Sequence, residues 1–199
     1  AFGDPAVFLE QYVEAARHVE VQVIADAHGT TWAVGVRDCS VQRRNQKVIE
    51  ESSSTALDAA TEAAIKAAAV RLSAAVGYHN AGTVEFLLDQ EGKHYFIEVN
   101  PRIQVEHTVT EEVTGIDIVK AQIRISEGAK IGDADAFVPR QEDIRLHGHA
   151  LQCRVTSEDP ENGFTPDYGR ISVYRSAAGF GLRLDGGTDA EFTRLDDER

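Results

Sequence analysis

The chain has 199 residues, 42% hydrophobic and 27% charged, the balance of an ordinary globular protein rather than a disordered one. A net charge of −13 argues against a nucleic-acid or anionic-membrane partner, and the apolar runs are too short to span a bilayer. No secretory leader is recognisable and Cys39 and Cys153 stand far apart, which predicts a reduced, intracellular protein. Methionine is absent even at position 1, so the sequence reads as an excerpt of a longer chain.

In chain order, the apolar run Val7–Val13 predicts a short strand. His18–Ile24 alternates with period two and predicts another, with Asp26–Thr30 as its turn and Thr31–Val36 as the returning partner. Val41–Glu50 predicts a third, more polar strand. Arg37, Arg43, Arg44 and Lys47 face only Asp38 within Arg37–Lys47. Such a cationic island suggests an anion site, the alternative being a solvated strand face with snorkelling side chains. Leu57, Ala60, Ala64, Ala68, Leu72 and Val76 recur at helical spacing behind Ser52, Ser53 and Ser54, predicting a capped amphipathic helix over Thr55–Val76 that Gly77 ends. Thr83–Leu88 and His94–Val99 flank Asp89–Lys93 as a hairpin. Asp117–Glu127 predicts a second helix, capped by Asp117 and stopped by Gly128. Lys130–Glu142 reads as a linker, and His147–Val155 and Gly169–Arg175 as strands of a new unit. Strands and helices mix without regular βαβ alternation, so the predicted class is α+β with an antiparallel sheet.

The hairpin carries the first chemical signal. A four-residue loop over Gln90–Lys93 sets Leu88 opposite Tyr95, Phe86 opposite Ile97 and Glu85 opposite Glu98. Like charges facing across strands are destabilising unless a cation lies between them, and an oxygen-only ligand set suits Mg2+ or Mn2+. A one-residue slip in register would instead put the two carboxylates on opposite faces. Beyond them, Glu98, Asn100, Arg102, Gln104 and Glu106 alternate, so an extended backbone would project all of them to one side. They offer metal ligands, an anion clamp, a neutral hydrogen-bonding group and a base; an exposed edge strand is the competing explanation. His147, His149 and Cys153 fit one strand face but lack a fourth zinc ligand, and both cysteines are expected to be packed rather than reactive.

The stretch EVNPRIQVEHTVTE at Glu98–Glu111 resembles the biotin carboxylase family of ATP-grasp enzymes. RHVEVQV at Arg17–Val23, RDCSVQRRNQK at Arg37–Lys47 and GHALQCRV at Gly148–Val155 resemble the same family, in the same order, from about Phe8 to about Gly187. HTVTEEVTGIDIV and GFTPDYGRISVYRSAAGFG are most similar to the pyruvate carboxylase branch. The resemblance implies the second half of an ATP-grasp domain over 1–146, an antiparallel sheet with flanking helices, and the start of the biotin carboxylase C-terminal domain over 147–199. It implies a ligase that uses ATP and bicarbonate, through carboxyphosphate, to carboxylate biotin on a carrier domain.

By the same resemblance, Glu10, Gln11 and Val13 line the adenine, and His18 and Gln42 lie near the ribose and phosphates. Glu85, Glu98 and Asn100 hold Mg2+ or Mn2+, while Arg102, Gln104 and Val105 hold bicarbonate. Lys47 is a cation near both anions, Glu106 the general base, and Arg154 the cation facing the biotin enolate. It also implies a homo-oligomeric parent, placed in the cytoplasm, or in the mitochondrial matrix of a eukaryote, with no nucleic-acid or membrane partner. Rival expectations are an acyl-CoA carboxylase, another ATP-grasp ligase, and a fragment that only binds. Asn45 stands where many members have His, the glycine-rich phosphate loop is absent from the sequence, and the tail after Gly187 does not match the family.

Overall fold

The structure, a computed structural model, describes residues 7–167 and 173–186. The chain divides into two compact units, Ala1–Arg154 and Val155–Arg199. In the first, β1 (Arg17–Ala25), β2 (Thr31–Arg43), β3 (Gln46–Ser52), β4 (Asn80–Leu88), β5 (His94–Asn100) and β6 (Ala150–Cys153) form one sheet in the order β5-β4-β1-β2-β3-β6. Every pairing is antiparallel. Helices α1 (Ala59–Ala75), α2 (His107–Thr114) and α3 (Ile118–Ser126) flank it, giving the α+β class. In the second unit, β7 (Glu158–Asp159) and β8 (Thr165–Pro166) make a small antiparallel hairpin.

Period-two alternation gives the large sheet two unlike faces. Val19, Val21 and Val23 of β1 join Val36, Val84 and Phe86 in a buried cluster under Ile65 and Ala69 of α1. His18, Glu20 and Gln22 therefore point to the other face. One end of that face is apolar, where Ile24 and Val34 meet Ile118, Ala121 and Ile125 of α3. Its middle is charged and is covered by α2. Gly35 permits the close approach, since a Cβ there would lie 3.3 Å from Cγ2 of Thr110. Gly115, at φ 71°, takes the left-handed conformation that ends α2.

Several expectations change. Val7–Val13 forms no strand, and Val7, Phe8, Leu9 and Tyr12 stay exposed. Val41–Glu50 is not one strand but holds a tight turn: Arg44 and Asn45 take φ of 52° and 62°, and two consecutive left-handed residues reverse β2 into β3. Helix α1 starts later than expected, with Asp58 rather than a serine accepting from the Thr61 N–H at 2.7 Å. Its buried face is Ile65, Ala69 and Ser73, whereas Ala60, Ala64 and Val76 are exposed. Alanine buries little area wherever it sits, so Ile65 decides which face turns inward. Helix α2 occupies a segment whose β-branched Thr and Val residues gave no helical signal.

Lys130–Glu142 is a packed segment rather than a linker. Ile131, Ala136 and Val138 are buried, and Gln141 bonds both the N–H of Ala33 at 2.8 Å and its carbonyl at 2.9 Å. His147–Val155 contributes β6, which pairs with β3 in the first unit's own sheet. Residues 169–172 of the expected strand Gly169–Arg175 lie outside the described residues, as does the tail from 187; Val173–Arg175 carries no strand.

In the intact protein, Ile65→Ala is expected to lower the unfolding free energy by about 2–5 kcal/mol, by loss of buried area plus a residual cavity. Ala64→Ser, on the face first expected to be buried, should cost no more than about 0.5 kcal/mol. Denaturant titration of the two variants measures the difference.

Candidate active site

A row of charged residues crosses four strands. Glu98 on β5 faces Glu85 on β4, Glu85 faces Glu20 on β1, and Glu20 faces Arg37 on β2. The opposition of Glu85 and Glu98 is the one the hairpin pattern predicts. The rest of that register differs, with Phe86 opposite Phe96 and Leu88 opposite His94, because a bulge between Glu85 and Phe86 absorbs one residue.

Aligned carboxylates on a shielded face require cations among them. Arg37 is fully buried and uses its planar fork on four neighbours. Its Nε donates to Glu20 Oε1 at 2.5 Å, Nη1 to Gln22 Oε1 at 2.7 Å and to Thr110 Oγ1 at 2.9 Å, and Nη2 to Thr83 Oγ1 at 3.1 Å. Lys47, carried in by β3, donates to Glu20 Oε2 at 2.5 Å, Glu85 Oε1 at 2.8 Å and Glu106 Oε1 at 2.7 Å. An ammonium has three donors, and each meets a carboxylate. Arg154, just past β6, spans Glu50 Oε1 through Nε at 2.5 Å and Glu106 Oε2 through Nη2 at 2.9 Å. Glu106 is the residue before α2. It makes no side-chain cap for that helix and turns to the two cations instead.

Glu85 gathers four different side chains, Lys47 among them. His18 Nε2 lies 2.7 Å from Oε2, and Asn100 Nδ2 and Gln104 Nε2 donate to Oε1 at 2.9 and 3.1 Å. Gln42 Nε2 is 2.8 Å from His18 Nδ1, which joins the β2 end to the same network. Asn100 Nδ2 also donates to Glu98 Oε1 at 3.1 Å, so Glu85 and Glu98 bracket one point with an oxygen each. Turning that amide over would put a third oxygen, Oδ1, beside them, which is the donor set a hard divalent ion takes.

Burial works to raise the Glu85 carboxyl. Hydrogen bonds from His18, Lys47 and Gln104, with the Lys47 charge, outweigh it and hold Glu85 well below the usual carboxylate range. Burial likewise works to raise Glu106, and the hydrogen bond and charge of Lys47, with the charge of Arg37, bring it down. Glu50 goes the other way: burial pushes it up, and Arg154 only partly offsets this. Desolvation would strip Lys47 of its proton, but the negative charge of Glu20 and the bonds to Glu106 and Glu20 keep it charged.

The structure thus brings together Lys47, Glu85, Glu98, Asn100, Gln104, Glu106, Arg154, His18 and Gln42. The chain does not stay extended past Pro101: the Arg102 N–H turns back to the Asn100 carbonyl at 2.8 Å. Arg102 is exposed, with Nη1 donating to the Ile103 carbonyl at 3.3 Å, and Val105 is exposed on the same turn. Glu10, Gln11 and Val13 lie in the segment without secondary structure before β1, outside the bonded network. Glu20, Glu50, Thr83 and Thr110 were not singled out from the sequence, and Arg37 stood out there only as part of the cationic island. The available signal was the alternation HVEVQVI, whose polar positions include Glu20 on a strand buried on both faces.

Residues 1–134 match the family described as carbamoyl-phosphate synthase L chain, ATP binding domain. The chain is 57% identical over 185 residues to pyruvate carboxylase 1 of Caenorhabditis elegans, covering 93% of this chain and 16% of that protein. Among solved structures, it is similar to the complete multifunctional pyruvate carboxylase of Rhizobium etli, with a TM-score of 0.88 and 62% identity over 92% of this chain and 18% of that one. It is also similar to the biotin carboxylase of Campylobacter jejuni solved as a β-γ-ATP complex, with a TM-score of 0.80 and 46% identity over 87% of this chain and 37% of that one. The chain therefore spans about a sixth of the length of the curated relatives it matches.

Arg37→Met in the intact protein is expected to cost about 3–5 kcal/mol of stability, because among the described residues it leaves buried Glu20 paired with Lys47 alone. Adding Glu20→Gln should restore part of that loss, so the pair will be strongly non-additive. Chemical denaturation of the two single variants and the double variant measures the coupling.

Proposed function

Because the chain belongs to the carbamoyl-phosphate synthase L chain, ATP binding domain family, we propose that it is part of a biotin carboxylase, within a pyruvate carboxylase, that uses ATP and bicarbonate to carboxylate biotin. The observation that carries the reading is the Lys47–Glu106–Arg154 chain of ion pairs beside the Glu85–Glu98–Asn100 oxygen set. An acceptor of phosphoryl charge, a base and a cation for a developing enolate stand within one network. A generic carboxylate–amine ligase has no evident use for Arg154 at the base.

In this reading a bicarbonate oxygen attacks the γ-phosphorus and ADP leaves, forming carboxyphosphate. Phosphoryl transfer depends on placed positive charge more than on covalent help. Glu85, Glu98 and Asn100 would hold Mg2+ or Mn2+, which supplies charge to the phosphate oxygens when bound. Lys47 supplies a fixed charge to the same anions, and Arg102, exposed at the rim, would reach inward to clamp bicarbonate with Gln104 and the Val105 backbone. Glu106 takes the bicarbonate proton. Two cations keep Glu106 ionised, and an incoming anion that draws Lys47 and Arg154 away from it strengthens it as a base. Arg154 then faces the negative charge that develops on the biotin ureido oxygen. His18 and Gln42, with Glu10, Gln11 and Val13, complete the nucleotide site. In the domain organisation we favour, residues 147–199 open the biotin carboxylase C-terminal domain, with β6 as the strand that carries Arg154 to the ATP-grasp sheet. The carrier of biotin, the homo-oligomeric state and a cytoplasmic or mitochondrial location belong to the same proposal.

Two measurements on the intact parent enzyme test it. With ATP, Mg2+, bicarbonate and biotin, Glu106→Gln should reduce phosphate release and carboxybiotin formation together, by about 10^2–10^4-fold. Arg154→Ala should keep a sizeable share of bicarbonate-dependent phosphate release and lose most carboxybiotin; equal loss of both would overturn the division of roles. Glu98→Gln should shift the Mg2+ concentration for half-maximal activity sharply upward, and an unchanged Mg2+ dependence would remove Glu98 from the metal site.

A further inference from the structure

Arg154 is gripped from two sides, and the two grips are not alike. Glu106 Oε2 meets Nη2 at 2.9 Å, and Glu50 Oε1 meets Nε at 2.5 Å. The Arg154 side chain is 30% exposed, whereas Glu50 has no exposed surface. Glu50 Oε2 is also buried and has no hydrogen-bond partner among the described residues. A buried carboxylate with a single cationic partner is costly to stability, and well-packed apolar residues of the same size often do better. The pairing is also built into the ladder. Glu50 faces Gln152 across β3 and β6, and the Arg154 N–H donates to the Val48 carbonyl at 3.0 Å. The register that closes the sheet edge thus fixes where carboxylate and guanidinium meet.

We propose that Glu50 is a positioning residue that holds the Arg154 guanidinium in its working orientation while Glu106 changes charge. This rests on the functional reading above. When Glu106 accepts a proton it loses its negative charge, and its hold on Nη2 weakens from a charge-assisted bond to a neutral one. Glu50 is out of reach of substrate and keeps its hold on Nε throughout. Arg154 then enters the second half-reaction already oriented, with its remaining N–H groups directed to the ureido oxygen rather than released to solvent. Placement of this kind governs rate steeply, since a displacement of about 1 Å can cost about 10^2-fold.

The test uses the full-length enzyme with ATP, Mg2+, bicarbonate and free biotin, measuring phosphate release and carboxybiotin in parallel. Glu50→Gln and Glu50→Asp are both made, the second keeping the charge but retracting it by one methylene. Each should lower the ratio of carboxybiotin to phosphate by about 10–100-fold, with a smaller loss for Asp, and the Asp variant provides the reading if the Gln variant does not fold. In an Arg154→Lys background, which has no Nε–H at that position, Glu50→Asp should lower the ratio by less than about threefold further. An unchanged ratio in both Glu50 variants overturns the proposal, as does an equal loss of both activities or a full multiplicative effect in the Arg154→Lys background. A wild-type enzyme with no bicarbonate-dependent ATP cleavage overturns the functional reading instead, and this inference with it.

Discussion

Lys47 Nζ donates to Glu20, Glu85 and Glu106, which arrive on β1, on β4 and on the turn into α2. Those segments are far apart in sequence, and the ammonium fixes where all three meet. The arrangement is possible only because the sheet has two faces of different character. The valine face beneath α1 supplies the apolar burial that a fold needs. The opposite face is then free to hold charges that lower stability unless each is paired. Arg37 takes one of the fully buried positions. Through Thr110 it also ties α2 to the sheet, so the helix that begins after Glu106 is seated by the same guanidinium that neutralises Glu20.

This coupling explains why the charged face needs a helix as short as α2. Gly35 leaves space for Thr110, and Thr108 Oγ1 donates to Gln152 on β6, so α2 bridges the middle of the sheet to its edge. Glu106 at one end of α2 and the His147 N–H, which donates to the Val113 carbonyl at 2.7 Å near the other, set the path by which the chain reaches β6. Arg154 follows β6 directly, so the last strand of the sheet is also what delivers the guanidinium to Glu106.

Much of this was legible in the sequence where a local rule applied alone. HVEVQVI specified a strand and its two faces, and the polar loop of the hairpin placed Glu85 opposite Glu98. The bulge that shifts Phe86 against Phe96 was not legible, because it leaves the carboxylate pair in place and re-pairs only Phe86, Leu87 and Leu88 with the Phe96, Tyr95 and His94 end of β5, where either register is accepted. The row Glu98, Asn100, Arg102, Gln104 and Glu106 was read as extended, yet the backbone turns at Arg102; convergence on Glu85 and Lys47 comes from that turn, not from strand alternation. Arg37 and Lys47 were visible as a cationic island, but the return of Lys47 to Glu20 depends on the Arg44–Asn45 turn, which a single polar strand over Val41–Glu50 does not contain. Tertiary pairing also decided Glu50, whose isolated acidic character carries no mark of a partner 104 positions away.

The site is therefore graded in rigidity. Its central groups, Glu20, Arg37, Glu85 and Glu106, are buried and cross-bonded, whereas Arg102 and Val105 sit exposed on the turn that follows β5. A fixed centre suits charge stabilisation, where reorganisation during reaction is costly. An exposed guanidinium on a turn suits capture of a small planar anion that must enter and leave. The same contrast separates the two arginines outside the centre: among the described residues, the Arg102 side chain bonds only the neighbouring Ile103 carbonyl, while Arg154 is held by two carboxylates. A residue that recruits substrate is served by freedom. A residue that meets charge forming in a transition state, the role proposed for Arg154, is served by being in place beforehand, and the double grip of Glu50 and Glu106 would meet that requirement.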